Sequence, residues 1–110
     1  MALLFKAHGD VALTENITPS NRPELFDNKG SFTLEALQGL VGGYVQIVYM
    51  NPPTEIEGVT YNRFAMDEEG KLVNKPVNTV ASVLAHTTRA IRSSDCLVGD
   101  IVLLSLGEFD

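Results

Sequence analysis

The side chains able to do chemistry are few and widely spaced. Cys96 and His86 invite comparison with a thiol–imidazole pair, in which a base must lie within hydrogen-bond reach of the sulfur and be oriented by a third group. Asp95 precedes Cys96 directly, but neighbours on an extended chain point to opposite faces. Cys96 leads into a β-prone run, so it is expected to pack as a small buried hydrophobe. Asp67, Glu68 and Glu69 form an acidic turn, and a three-residue turn spreads its carboxylates outward where a hard cation needs them to converge. With His8, His86 and one cysteine, the chain falls short of a structural zinc site. Gly39, Gly42 and Gly43 close a helix, whereas a phosphate loop must open one. The pattern predicts no catalytic residue, no metal site and no cofactor.

A ligand contact needs less. Tyr44, Gln46, Tyr61, Asn62, Arg63, Asn74 and Asn78 supply amides, aromatics and a guanidinium near the expected seam between helix and sheet. A guanidinium can grip a phosphate bidentately and a tyrosine can stack on a base. Tyr44, Gln46, Tyr61, Arg63, Asn74 and Asn78 are the candidate ligand-binding residues, with Arg22 as a lid residue from the irregular segment. Each also has a plain structural role open to it: Asn74 and Asn78 as turn and cap, the tyrosines as half-buried sheet residues. Arg89 and Arg92 would share a helical face as a small basic spot.

These residues are held by elements whose order can be read from the pattern. Ala2–Phe5 and Val11–Leu13 flank Gly9-Asp10 and predict an N-terminal β-hairpin over residues 2–15. Residues 16–30 are punctuated by Pro19, Pro23 and Gly30 and predict an irregular segment, pinned by Leu25 and Phe26. Thr33 caps a helix in which Leu34, Leu37, Leu40 and Val41 share a face, closed by Gly42-Gly43. Tyr44–Met50 then reads as a central strand, apolar on both sides and stopped by Asn51-Pro52-Pro53. Tyr61–Met66 predicts a strand that turns at Asp67–Lys71 and pairs back through Leu72-Val73. A second helix starts near Pro76 or Asn78, with Val80, Ala81, Leu84 and Ala85 on one face, and either runs to Ile91 or breaks near Thr87. Cys96–Leu104 predicts a turn and a closing strand. The sum is an α+β domain: a small, mostly antiparallel sheet with two short helices packed on it.

At 110 residues the chain is one domain, 1–110, by the usual ~100–200 residues per domain. Its hydrophobic share of 45% suits a globular core. A net charge of −6 gains no counterion release on a duplex, so nucleic-acid binding through a basic surface is not expected. The lack of an apolar run near ~20 residues argues against a membrane span. The start Met1–Lys6 lacks the pattern of a signal peptide. A single cysteine fits a reducing compartment, so the expected location is cytoplasmic.

The run Leu34–Val48, with Gly42-Gly43 at its centre, resembles the leading motif of the DUF3846 family, small proteins of unknown function from phages and other mobile elements. Asp67-Glu68-Glu69-Gly70-Lys71-Leu72 resembles that family's acidic–glycine–lysine turn, Asn78–Ala81 its asparagine with alanine three residues on, and Val98–Val102 its closing strand. The likeness spans Thr33 to Leu104 and weakens at 17–29 and 87–95. It implies a setting, a phage or mobile-element accessory protein in the host cytoplasm, and carries over no catalytic residue.

Three functions follow as expectations. The first is non-catalytic sequestration of a small nucleotide-type signalling molecule, an anti-defence sponge, aided by a homo-oligomer whose interface offers a pocket. The second is a protein-interaction inhibitor of a host defence or replication enzyme. The third, an enzyme acting through Cys96 or the carboxylates, ranks last.

Overall fold

The computed structural model describes residues 2–7 and 14–105. Five strands and two α-helices make an α+β fold: β1 (Ala2–Phe5), β2 (Thr14–Ile17), α1 (Leu34–Val41), β3 (Val45–Ile56), β4 (Val59–Asp67), α2 (Thr79–Thr87) and β5 (Ile101–Ser105). The sheet is antiparallel throughout, in the order β2-β1-β5-β4-β3. The expected N-terminal hairpin is present, with Ala2 opposite Ile17 and Phe5 opposite Thr14. Its second strand runs to Ile17, two residues beyond the expected end, because Ile17 fills a fully buried position. The expected Gly9-Asp10 turn and the run Val11–Leu13 lie outside the described residues.

Alternation along the strands builds two cores, one on each face. Leu3, Phe5, Phe64, Met66, Ile101 and Leu103 meet Ala81 and Ala85 of α2 on one face. Ala2, Leu4, Ala65, Val102 and Leu104 meet Leu37 and Val41 of α1 on the other. The helices therefore sandwich the sheet. α1 is capped at Thr33, whose Oγ1 accepts from the Ala36 N–H at 3.1 Å, and ends at Gly42 with φ +81°, the left-handed cap that glycine adopts without strain. α2 is capped by Asn78 and stops at Thr87, resolving its two expected ends in favour of the earlier one.

Three expectations are corrected. β3 is an edge strand, not a central one, although Val45, Ile47 and Val48 are partly buried against the cores. It also continues through Asn51-Pro52-Pro53 to Ile56, with an irregularity between Tyr49 and Thr54. The two facts explain each other, since a proline on an outer edge withholds no hydrogen bond from a neighbour. Leu72-Val73 does not pair back: residues 68–74 form successive turns, and Leu72 is 81% exposed. β4 pairs instead with β5 on one side and with β3 on the other, the latter joined to it through Glu57-Gly58, both with positive φ. Residues 18–33 remain mostly irregular, with a short 3-10 turn at Pro23–Leu25 and a bridge between Phe26 and Phe32. Leu25 and Phe26 pack against the α1 core, as their apolar character suggests.

Candidate functional site

The sheet face that carries α2 is not fully covered by that helix. Beside it, toward the β3 edge, a cavity of about 190 Å³ opens between the sheet and residues 91–98. Val48, Met66, Ile91 and Leu97 give it apolar walls; Gln46, Glu68, Lys71 and Cys96 bring polar groups to it. Gln46 reaches it because it lies opposite Met66 across the β3–β4 ladder, so both point to the same face. Among the described residues, none hydrogen-bonds the Gln46 amide, which is exposed and leaves a donor and an acceptor at the cavity's rim.

The charges around it are largely committed. Lys71 forms an ion pair with the Asp95 carboxylate. The hydrogen bond from Lys71 holds that carboxyl below its ordinary range, helped by the Cys96 N–H, which donates to it at 2.8 Å. The same bond raises the Lys71 ammonium. The Asp67 carboxyl is held low first by Lys75, whose Nζ stands 2.7 Å away, and also by the Glu69 N–H. Glu68 adds an exposed carboxylate. The lining thus favours neutral, hydrogen-bonding matter over a polyphosphate.

Cys96 and His86 do not form the pair considered above. His86 Nε2 lies 2.6 Å from the Asp95 carbonyl oxygen, to which a protonated Nε2 donates. The Asp95 carboxylate is occupied by Lys71 and the Cys96 N–H. A second cavity of about 270 Å³ lies where α1 ends, bordered by Gly42, Lys75, Pro76 and Asp100. Its lysine is held by Asp67 and by the Val41 and Gly42 carbonyls.

The sequence-nominated residues scatter over the molecule. Gln46 lines the first cavity. Tyr44, 67% exposed, stands just before β3, on the same edge as Gln46. Tyr61 is buried in the α2 core. Arg63 is also buried, but its register partners place it near Tyr49 and Leu104, its Nη2 donating to the Ser105 carbonyl at 2.8 Å and its Nε to Asn62 Oδ1. Tyr44 and Tyr49 are separated by about 17 Å of extended chain, so Tyr44 and Arg63 do not share a site. Asn74 takes a positive φ in the exposed turn. Arg22 is engaged by Glu15 and Glu24.

Asn78 has a structural task. Its Nδ2 donates to the Phe5 carbonyl at 2.8 Å and the Gly99 carbonyl at 3.0 Å, while its Oδ1 accepts from the Ala81 N–H. One buried side chain ties β1, the turn before β5 and the start of α2. Residues 91–98, which wall the cavity, were not nominated for ligand binding, and Cys96 drew notice only as a thiol, because their part in the cavity depends on where the chain lies after α2. Ser82 fixes that path: its Oγ accepts from the Leu97 N–H and donates to the Leu97 carbonyl.

The residues behind the family likeness also converge. A Cβ at Gly42 or Gly99 would crowd Lys75, one at Gly43 would crowd Asp67, and one at Gly70 would crowd Val98. Among the described residues, no helix is long and apolar enough to cross a membrane. A family model described as a domain of unknown function (DUF3846) matches residues 12–110. No curated protein and no solved structure matches the chain.

Proposed function

We propose that this chain, which belongs to the DUF3846 family, binds a small nucleotide-type signalling molecule without chemistry and sequesters it, its base lodged in the cavity at Gln46. The observation that carries this reading is the exposed Gln46 amide at the rim of a cavity with apolar walls, the pairing of few polar groups with apolar surface that small-molecule sites share. The volume of about 190 Å³ lies below the ~300–1,000 Å³ of sites that enclose a whole ligand. It suits a base-sized group, with sugar and phosphate left outside in solvent, because Lys71 is paired with Asp95 and gives a phosphate no free cation. As a phage or mobile-element accessory protein, the chain would act in the host cytoplasm by withdrawing an immune signal.

Native mass spectrometry of the protein purified from cells, beside a denatured sample, tests this. The expected result is a stoichiometric added mass of nucleotide size that is lost on denaturation.

A second reading, inhibition of a host protein by surface contact, is favoured by a different observation. Leu72, Val73, Val77 and Val83 are between 51% and 81% exposed, around α2 and the turn before it. Exposed aliphatic groups that join into one patch mark a contact surface. On this reading the protein captures a host enzyme from lysate, and Val83→Lys abolishes capture while Gln46→Ala does not.

A further inference from the structure

The two edges of the sheet are protected unequally. β2 has only four residues and carries Glu15, a short and charged edge of the kind that discourages pairing. β3 has twelve residues. Its second half is blunted by Pro52, Pro53 and Glu55 and by the irregularity that begins after Tyr49, but Val45-Gln46-Ile47-Val48-Tyr49 has no charge, no proline and unbroken register. Among the described residues, none hydrogen-bonds the outward backbone groups from Val45 to Tyr49; the open edge ends at Asn51, whose N–H donates to the Thr88 carbonyl at 3.3 Å. An uncharged strand edge of this length is an open template for another strand.

We infer that this edge pairs with the same edge of a second copy, β3 running antiparallel to β3, to make a two-fold dimer with one continuous sheet. The sequence of the stretch fits itself. With Ile47 opposite its own counterpart, Tyr49 lies opposite the partner subunit's Val45, an aromatic and β-branched pair that stabilises antiparallel sheets. Gln46 lies opposite the partner subunit's Val48, and Tyr44 opposite the partner subunit's Met50. No like charges meet, although each chain carries −6. The charges of the molecule thus favour self-association at this edge over its acidic surfaces. Pairing also covers Tyr44 and Tyr49, each 67% exposed, aromatics of the type that anchor interfaces. Because Gln46 and Val48 also line the first cavity, the second copy extends that cavity's wall. The inference rests on the edge alone, so its failure leaves the ligand reading standing.

Light scattering on the full chain across a micromolar concentration series tests it, with Tyr49→Lys and Val83→Lys alongside. The expected result is a dimer whose dissociation constant rises at least about tenfold in Tyr49→Lys, as loss of a buried anchor does, and is unchanged in Val83→Lys. A wild-type chain that stays monomeric overturns the inference, as does a dimer broken by Val83→Lys and not by Tyr49→Lys. Amide exchange on the wild-type protein covers the case in which Tyr49→Lys fails to fold. Outward amides between Val45 and Tyr49 should slow as concentration rises, and exchange independent of concentration there overturns the dimer.

Discussion

Lys75 and Asp67 form an ion pair, 2.7 Å from Nζ to Oδ2, in which the lysine also donates to the Val41 and Gly42 carbonyls at 2.8 and 3.3 Å. One ammonium therefore joins the end of β4 to the C-terminus of α1, where the helix leaves its last carbonyls unpaired and its dipole favours a cation. The carboxylate side chain is 6% exposed and the lysine 23%, so solvent reaches the pair mainly from the lysine side. Lys75→Met removes the cation and leaves that carboxylate buried alone. The expected loss is about 3 kcal/mol of unfolding free energy, read from urea melts at neutral pH.

The same pair sets a pH dependence. Asp67 has its folded pKa lowered, first by the hydrogen bond from Lys75. A lowered carboxyl contributes stability that is present above its unfolded pKa and lost as pH falls through the folded one. The gap in stability between wild type and Lys75→Met should accordingly narrow as pH falls through the acid range, because the unpaired, buried carboxyl of the variant takes up its proton first and the wild-type one only at its lowered folded pKa. Urea melts repeated through the acid range check this; a gap that stays constant to the lowest pH at which both fold contradicts it.

Two glycines near this pair predict opposite outcomes. A Cβ at Gly43 would stand 2.5 Å from Asp67 Oδ1, so Gly43→Ala must displace the paired carboxylate. Overpacking of this kind costs about 1–3 kcal/mol. Gly39, inside α1, has nothing within 4 Å of a Cβ, and Gly39→Ala should stabilise the protein by up to about 1 kcal/mol through helix propensity. Thermal melts of the two variants are expected to move in opposite directions.

Asn78→Ala removes a buried side chain that serves three backbone groups. The Phe5 and Gly99 carbonyls lose their donor, and α2 loses its cap. The expected loss is about 2–4 kcal/mol, since each buried group left unsatisfied carries its own desolvation penalty. Hydrogen exchange should show the start of α2 opening first.

The family likeness thus has a physical basis that only the fold reveals. Gly42-Gly43, the acidic turn with Gly70, and Val98-Gly99-Asp100 are far apart in sequence but meet around Lys75 and Asp67. Local pattern was enough for α1 and α2, because Thr33 and Asn78 announce their caps and the apolar spacing is helical. It was also enough for the hairpin and for the α+β class. The placement of β3 was not legible: partial burial on both faces resembles a central strand, and only the order of pairing shows that one side of it is open. The turn at Leu72-Val73 misled for a related reason, since β-prone residues pair only where a neighbour is free and β4 already lies between β3 and β5. Of the nominated ligand residues, Gln46 alone lines the cavity beside α2. Tyr61 and Asn78 are buried, which a polar or aromatic residue type cannot disclose by itself.

Calorimetric titration of the wild-type chain and Gln46→Ala with a panel of linear and cyclic nucleotides tests the ligand reading most directly. A member of the panel is expected to bind with a fixed stoichiometry and to lose at least about tenfold in affinity in Gln46→Ala, the effect of removing a hydrogen bond to the bound base. A panel without a binder, or a binder indifferent to Gln46→Ala, would contradict it.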